Sequence, residues 1–465
     1  MKKVKLRELL GNVPVGAVSD PAFFENFDVA SISTDSRSLK KGELFVALRG
    51  QVHDGHEHIA GAVKGGASGV VYETAKLASF GGKFPRGILF VGVENTRNAF
   101  GRMAENYLRF FRLHKIAITG SAGKTTTTRL VASVLARKLR VIQSPRSFNN
   151  DIGVPKTLFS VDEGTEVLVQ EIGTNHPGEI AYLSGIIRQD SALITNIGPA
   201  HVGFFGSVEE IAREKKDAIA CLGREGTAFL NAEDAYFDSL RAGIEARVSS
   251  FGLSKGDLFP ERILDAGFER VEFVLAGQRM RARLSGLHGV LDAVAAALVG
   301  MSFGLTLEQI GAGIEDYSPE EGRGNVYDVG GVTLIDESYN ANPLSVRASL
   351  ECIGRTGAEG KKVFVFADML ELGEEAERYH QGVADDILKN GISRLLTVGE
   401  LAKVTGAACR GSGLAEVRHF PSVEDAAARL KDEIERGILK RGDIVLVKGS
   451  RAMRLDRVVR GLIDK

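Results

Sequence analysis

The stretch Lys115-Ile116-Ala117-Ile118-Thr119-Gly120-Ser121-Ala122-Gly123-Lys124-Thr125-Thr126 constrains this chain more than any other. A short β-branched run leads into a glycine-spaced turn, and Gly-Lys-Thr then opens a periodic run through Leu130, Val131, Val134 and Leu135. Strand, loop, helix is the order a phosphate-binding loop requires. The glycines let backbone N–H groups turn inward, the helix N-terminus adds positive partial charge, Lys124 has the reach for outer phosphates, and the Thr125 hydroxyl suits magnesium. Longer forms of the motif carry glycine where this chain has Ile118, so the match is to Thr-Gly-x-x-Gly-Lys-Thr. A plain glycine turn capping a helix would explain neither the Lys-Thr pair nor the four threonines that begin at Thr125.

With 465 residues the chain exceeds what one core serves and predicts about three domains of roughly 150 residues. Glycine, 55 residues, stands above the usual share without a fixed period, which fits many tight strand-to-helix turns and an α/β class. Lys plus Arg (59) balances Asp plus Glu (60), so no global basic field draws nucleic acid, and an anionic ligand must be held by local clusters. Cys221, Cys352 and Cys409 fit no zinc spacing or disulfide framework and read as reduced thiols of a cytoplasmic protein. Leu9-Leu10 is followed at once by Gly11, and no apolar run approaches a membrane span, so neither export nor membrane insertion is expected.

Along the chain, residues 1–112 alternate strands (Leu44 to Leu48, Gly69 to Tyr72, Ile88 to Val93) with helical patterns such as Arg97 to Phe111. Two polar loops there, Ser33-Thr34-Asp35-Ser36-Arg37 and His53-Asp54-Gly55-His56, read by themselves as turns and caps. From 113 to 319 strands at Glu166 to Gln170, Ser191 to Thr195 and Thr227 to Leu230 alternate with helices, which predicts a doubly wound, mostly parallel sheet. Ligands gather beyond the carboxyl ends of such strands. Glu171, Asn196 and His201 fall there. A helix capped by Ser207 carries Lys215 on its apolar stripe and Lys216 about 100° away, towards solvent. A lysine on such a stripe commonly packs its stem and lets its head snorkel. Short β-like pieces in 254–288 have no evident place. Proline, glycine and charge crowd at Ser318-Pro319-Glu320-Glu321-Gly322-Arg323-Gly324, which marks a boundary. Beyond it, from 320 to 465, strands at Thr333 to Ile335, Lys362 to Phe366, Arg394 to Val398 and Asp443 to Val447 build a third, Rossmann-like α/β unit.

The phosphate loop, Asn149-Asn150-Asp151-Ile152-Gly153-Val154-Pro155, Asn196-Ile197-Gly198-Pro199-Ala200-His201, Tyr339-Asn340-Ala341-Asn342-Pro343, Asp368-Met369-Leu370-Glu371-Leu372-Gly373 and Lys448-Gly449-Ser450-Arg451 together resemble the Mur ligases. The Tyr-Asn-Ala-Asn-Pro run, and the absence of Asp-Asn-Pro-Arg, place the resemblance nearest the branch that adds D-alanyl-D-alanine to UDP-N-acetylmuramoyl-tripeptide. Two departures stand out. Gly289 and Asp292 occupy positions in Leu287-His288-Gly289-Val290-Leu291-Asp292 where the family usually has asparagines near the adenine, and Ala367 replaces the glycine of a Gly-Asp-Met.

The resemblance implies a 1–112 domain for the UDP end of the substrate, a central ATPase, and a C-terminal domain that closes over ATP and brings the amine. Ser33, Thr34, Asp35 and Arg37 then become UDP-sugar contacts, which replaces the structural reading of that loop. Asn149 and Asn150 face peptide substrate or phosphate. Gly120, Ser121, Ala122, Gly123, Lys124, Thr125 and Thr126, with His288, Arg323, Asp336, Tyr339, Asn340 and Asn342, contact ATP. Lys124 acts on the outer phosphates, and Thr125, Glu171, His201 and Lys215 serve magnesium, Lys215 as a carbamate with two oxygens because a protonated lysine cannot ligate a cation. A monomer is expected. Two other readings follow from the same residues. One is a related ligase, of the cyanophycin or folate polyglutamate kind, though the latter begins close to its loop and this chain has about 110 residues before it. The other is a nucleotide-dependent switch or partner subunit, which has no need of Glu171, His201 and Lys215.

Overall fold

The computed structural model describes residues 1–50, 53–76, 84–357 and 360–463. The chain divides into two compact units, Met1–Ala117 with Arg140–Thr174 and Glu179–Gln189, and Ile118–Leu139 with Asn175–Gly178 and everything from Asp190 onwards.

In the first unit, strands β1 (Val15–Val18), β2 (Ile32–Ser33), β3 (Leu44–Val46), β4 (Gly69–Glu73) and β5 (Leu89–Val93) form one sheet in the order β1-β5-β4-β3-β2. Only β1 runs antiparallel to its neighbour. The near-continuous apolar runs of β3 to β5 are what a parallel strand covered on both faces requires, and Phe45, Val70, Tyr72 and Phe90 are fully buried. Helix α1 (Thr96–Leu108) starts at Asn95, whose side chain accepts the Asn98 N–H, and buries Phe100, Met103 and Tyr107. The loop at His53 to His56 is structural here: Asp54 caps a short 3-10 turn and His56 Nε2 accepts the Glu73 N–H at 2.9 Å. Strand β6 (His114–Thr119) begins in this unit, where the His114 N–H reaches Glu166 O, and β7 (Val141–Gln143) lies parallel to β8 (Val167–Glu171).

β6 runs on into the second unit, where the Thr195 N–H bonds Thr119 O and strands β9 (Ser191–Ile194), β10 (Thr227–Asn231) and β11 (Arg247–Phe251) continue in parallel. Helices α2 (Lys124–Leu135), α3 (Val208–Ala220), α4 (Gly286–Ser302) and α5 (Leu307–Glu315) alternate with or follow these strands. The unplaced 254–288 region is a three-stranded antiparallel sheet, β12 (Arg262–Ala266), β13 (Val271–Leu275) and β14 (Gln278–Ala282). Its second turn is Ala276-Gly277, both at positive φ (49° and 79°), a conformation that asparagine or aspartate before glycine usually announces. Alanine hides that signal.

The last sheet orders β15 (Asn325–Val329), β16 (Val332–Glu337), β17 (Lys362–Ala367), β18 (Arg394–Val398), β19 (Glu416–Phe420) and β20 (Ile444–Lys448) as β15-β16-β20-β17-β18-β19, parallel except for β15. Alternate residues face opposite cores: Phe364 and Phe366 pack with Val346, Leu350 and Ile387, while Val363 and Val365 pack with Leu430, Val445 and Val458. Helices α6 (Pro343–Gly354), α7 (Ala376–Lys389), α8 (Ala402–Gly411), α9 (Val423–Glu435) and α10 (Asp456–Ile463) supply those faces, as expected of a Rossmann-like sheet. Among the described residues, no helix is long and apolar enough to cross a membrane.

One ion pair lies inside this last layer. Arg394, at the start of β18, clasps Glu433 of α9 through both terminal nitrogens, and Arg429 adds a contact at 2.5 Å. Both central groups are buried, so removing Arg394 takes away the two-point partner of Glu433 and leaves it with Arg429 alone. Arg394→Met should lower stability by roughly 3–5 kcal/mol, read as a reduced urea midpoint, and an unchanged midpoint would show that Glu433 finds water or Arg429 instead.

Candidate active site

The loop between β6 and α2 is shaped by its two glycines and by the residues after β9. A Cβ on Gly120 would lie 1.9 Å from Thr195 Oγ1. Gly123, at φ 79°, begins α2 in the left-handed region, and a Cβ there would meet Asp292 Oδ1 at 2.9 Å. Asn196 grips the turn through backbone and side chain: Ser121 N–H donates to its carbonyl (2.9 Å), Ala122 N–H to Oδ1 (2.9 Å), and Nδ2 donates to Ala122 O (3.2 Å). The Thr195 hydroxyl donates to the same Ala122 O, and the Ser121 hydroxyl exchanges hydrogen bonds with Gly198 N–H and O. The N–H groups of Ser121 and Ala122 therefore serve the loop's own shape. Lys124 Nζ curls back to Gly120 O at 2.9 Å, Thr125 is buried in the first turn, and Thr126 shares a hydrogen bond with Tyr317.

Below the loop, the Asp292 carboxyl accepts the Thr127 hydroxyl at 3.0 Å. Burial raises its pKa to about 7, with the Thr127 bond acting against that. Burial likewise pushes the neighbouring Tyr317 phenol up to about 12.

Lys215 sits on the inward face of α3 with Ile211, Ala212, Ala218 and Ile219, and is 2% exposed. Burial holds its amine well below the ordinary lysine value, the Lys124 ammonium pushes it the same way, and the Glu214 charge opposes. Glu214 accepts the Gly178 N–H at 2.7 Å. Snorkelling is not what Lys215 does. Lys216 is not the solvent-facing lysine the helical spacing predicts: it is half-buried and donates to Ser239 O and Ala242 O, both at 2.6 Å, because the helix at Phe237–Arg241 packs its C-terminal carbonyls against that face.

On the far side, Asn342 caps α6 by accepting the Ser345 N–H and extends Nδ2 to Ser121 O at 3.1 Å. Asn340 accepts the Arg451 N–H at 3.4 Å. The Tyr339 ring carries the Arg323 guanidinium 4.0 Å from its centroid and that of Arg451 at 5.4 Å. Asp336 is buried, accepts the Ser338 N–H, and has its carboxyl raised by burial. His288 is half-buried at the start of α4, and burial lowers its imidazole, with the Glu337 charge opposing. His201, at φ 62°, turns Nδ1 to the Glu371 carboxylate.

In the first unit, Glu171 ends β8 and accepts Asn149 Nδ2 at 2.7 Å. Asn150 Oδ1 accepts the N–H groups of Ile152 (3.2 Å) and Gly153 (2.8 Å) in the turn that enters the helix Gly153–Leu158. Ser33 accepts the Asp35 N–H, Thr34 is half-buried, and Asp35 holds Arg37 through Nε (2.9 Å) and Nη2 (2.8 Å). That pairing draws the Asp35 carboxyl far below its usual range.

Two features here were not anticipated from the sequence, although Lys448 itself belongs to a quoted motif. Lys448 Nζ meets Glu337 Oε2 at 2.6 Å where β20 and β16 end side by side, and both are largely buried. Lys156 feels the Asp35 charge while burial lowers its amine. The cue for the first was an acidic and a basic residue each closing a predicted strand; nothing in the sequence marked the second.

A phosphate-loop α/β fold with two clustered lysines is the architecture of a nucleotide-using phosphoryl-transfer protein. Family models match in chain order: the Mur ligase family catalytic domain over residues 28–107, the Mur ligase middle domain over 118–300, and the Mur ligase glutamate ligase domain over 322–451. The UDP-N-acetylmuramoyl-tripeptide–D-alanyl-D-alanine ligase of Escherichia coli (strain K12) is 33% identical over 440 residues, 93% of each chain. The enzyme of that name from Bacillus subtilis (strain 168) is 29% identical over 453 residues, 97% of this chain and 96% of its own. A MurF crystal structure from Acinetobacter baumannii superposes with a TM-score of 0.88 at 28% identity, covering 100% of this chain and 99% of that one. MurF ligase from Thermotoga maritima in complex with ADP gives 0.79 at 27% identity, covering 93% and 96%. The chain belongs to the Mur ligase family.

Asp292 makes one consequence measurable. Its folded-state pKa, about 7, lies above the ordinary 3.8, so the folded protein holds a proton that the unfolded chain releases. That contribution to stability is complete below pH 3.8 and is lost as pH rises to 7. Asp292→Asn keeps an acceptor for Thr127 and does not titrate. Its melting temperature should therefore gain on the parent between pH 5 and pH 8, and a constant difference would show that Asp292 is ionised in the fold throughout.

Proposed function

We propose that this chain is an ATP-dependent amide ligase that joins D-alanyl-D-alanine to UDP-N-acetylmuramoyl-tripeptide in cytoplasmic peptidoglycan precursor synthesis, acting as a monomer. The observation that carries the reading is the pairing of the Asn196-gripped phosphate loop with Lys124 and a second, buried lysine, Lys215, in a chain similar end to end to ligases of that name. Residues 1–112 take the UDP end, with Ser33, Thr34, Asp35 and Arg37 as contacts. Residues 113–319 hold ATP, and 320–465 close over it and bring the amine.

A carboxylate is too poor an electrophile to form an amide in water. The terminal carboxylate of the tripeptide attacks the γ-phosphorus, the bond to the β-phosphate oxygen breaks, and ADP leaves with an acyl phosphate formed. The amine of the dipeptide then attacks the acyl carbon, phosphate departs, and the amine proton is released. Lys124 leaves Gly120 O for the β and γ oxygens, where charge builds in the transition state. Gly120 to Thr126 form the cradle, Tyr339, Asn340, Asn342, Arg323 and Asp336 contact the nucleotide, and His288 borders the base. Asn149 and Asn150 serve the peptide end.

Magnesium would neutralise charge on the transferred group. Among the described residues no group of three or more His, Cys, Asp or Glu could hold a metal by itself. Magnesium on a nucleotide needs few protein donors and keeps water and phosphate for the rest; Thr125, His201 and carbamylated Lys215 would each offer one, and Glu171 is the fourth residue assigned to it. A neutral Lys215 amine adds to carbon dioxide, loses a proton, and becomes an anion. Its depressed pKa supports that.

Phosphate release measured with each substrate omitted in turn should require ATP, the UDP-tripeptide and the dipeptide together for amide formation; turnover indifferent to every amine and carboxylate would instead favour a nucleotide switch. Lys124→Ala should fold and lose activity by roughly 10²–10³-fold, and near-normal ligation by the folded variant would remove the loop assignment. Lys215→Ala should be inactive and regain activity with added short carboxylic acids. A Lys215→Ala protein as active as the parent would sink the carbamate.

A further inference from the structure

We propose that Glu371 is a positioning residue for this reaction: it fixes the His201 ring with Nδ1 as donor, leaving the lone pair on Nε2, and it can do so only when the segment after β17 is seated on the residues before α3. The proposal rests on the reading that His201 serves phosphoryl transfer.

The geometry is local and specific. Glu371 Oε2 meets His201 Nδ1, and a carboxylate at neutral pH can only accept, so the ring proton is on Nδ1. The backbones lock together beside this contact. Gly203 N–H donates to Glu371 O at 3.0 Å, a Cβ on Gly203 would lie 2.5 Å from Gly373 N, and a Cβ on Gly373 would lie 2.7 Å from Gly203 Cα. Only two glycines permit that approach.

Both partners are also strained. His201 (φ 62°) and Glu371 (φ 65°) occupy the left-handed region, which residues with a β-carbon adopt only against a steric penalty. Two opposed residues held this way point to a geometry maintained for use, since strain persists only where the surroundings over-determine it. An ion pair that merely fastened two segments would need neither the left-handed backbone nor a defined tautomer. A histidine whose Nδ1–H is held by a carboxylate has its ring orientation and tautomer fixed. His201 lies in the stretch matched by the middle-domain model and Glu371 in that matched by the C-terminal one, so orienting the ring requires both.

The test uses the full-length protein labelled with 15N-histidine and free of nucleotide. Long-range 15N–1H spectra near pH 8 report the tautomer of each ring, and His201 is assigned by its loss in His201→Gln. The parent should show His201 as the Nδ1–H tautomer, and Glu371→Gln, whose amide both donates and accepts, should show a mixture or the reverse. In steady-state ligation, Glu371→Gln and Glu371→Ala should lower kcat by about 10–100-fold with KM for ATP nearly unchanged. An Nε2–H tautomer in the parent, an unaltered tautomer in both variants, or a kcat within about twofold of the parent would overturn the proposal. If Glu371→Ala fails to fold, the near-isosteric Glu371→Gln carries both readouts. Because the spectrum is read without turnover, failure of the ligase reading and failure of this one are separate results.

Discussion

The grip of Asn196 on the phosphate loop is the interaction on which the second unit depends. A loop that must receive several negative charges cannot also be left to find its shape when they arrive. Reorganising its dipoles at that moment would forfeit much of the stabilisation they offer. Here the carboxamide of Asn196 closes a two-point hydrogen-bonded ring with Ala122, and its backbone carbonyl takes the Ser121 N–H. The turn is thereby written into the end of strand β9. Asn342 extends that control from the other side, since the same side chain both caps α6 and holds Ser121 O.

Charge is arranged around that loop with equal economy. Two lysines approach one another, and only one is in a setting that favours its ammonium. Lys124 rests on a backbone carbonyl, whereas Lys215 is enclosed by the apolar face of α3, and Glu214, the acid beside it, has an oxygen engaged by the Gly178 N–H. Asp292, an acid beside the helix start, is itself held towards its neutral form by burial. Burial of Asp292 thus favours the loss of one negative charge beside the start of α2, which suits a place meant for a polyphosphate.

Much of this was legible in the sequence, for reasons of range. The loop, the strands that flank it and the parallel order of both large sheets follow from local patterns: a fixed spacing of glycines, a period of two, a period of 3.6. Burial of Lys215 was also readable, because one helix sets it. What escaped were relations between distant residues. Glu371 lies 170 positions from His201, and nothing near either announces the other. The sheet from β12 to β14 escaped because Ala276 stands where a turn-forming residue would have flagged the hairpin, and because Glu272, Arg279 and Arg281 place charges along it. Lys216 misled for a similar reason: the helical wheel gives its direction, but only the packing of Phe237–Arg241 decides what waits there.

The approach of Gly203 to Gly373 bears on how such a protein can change over generations. Two backbones in direct contact leave no side chain at the crossing to absorb a shift, so the fit is set by chain geometry and by the absence of two β-carbons. A recombination event that exchanged residues 322–451 for those of a distant relative would bring a new partner for His201, Ser121 and Gly203 while leaving those three behind. The two stretches are therefore a matched pair, heritable together, and the modularity suggested by three separable family segments stops at this seam.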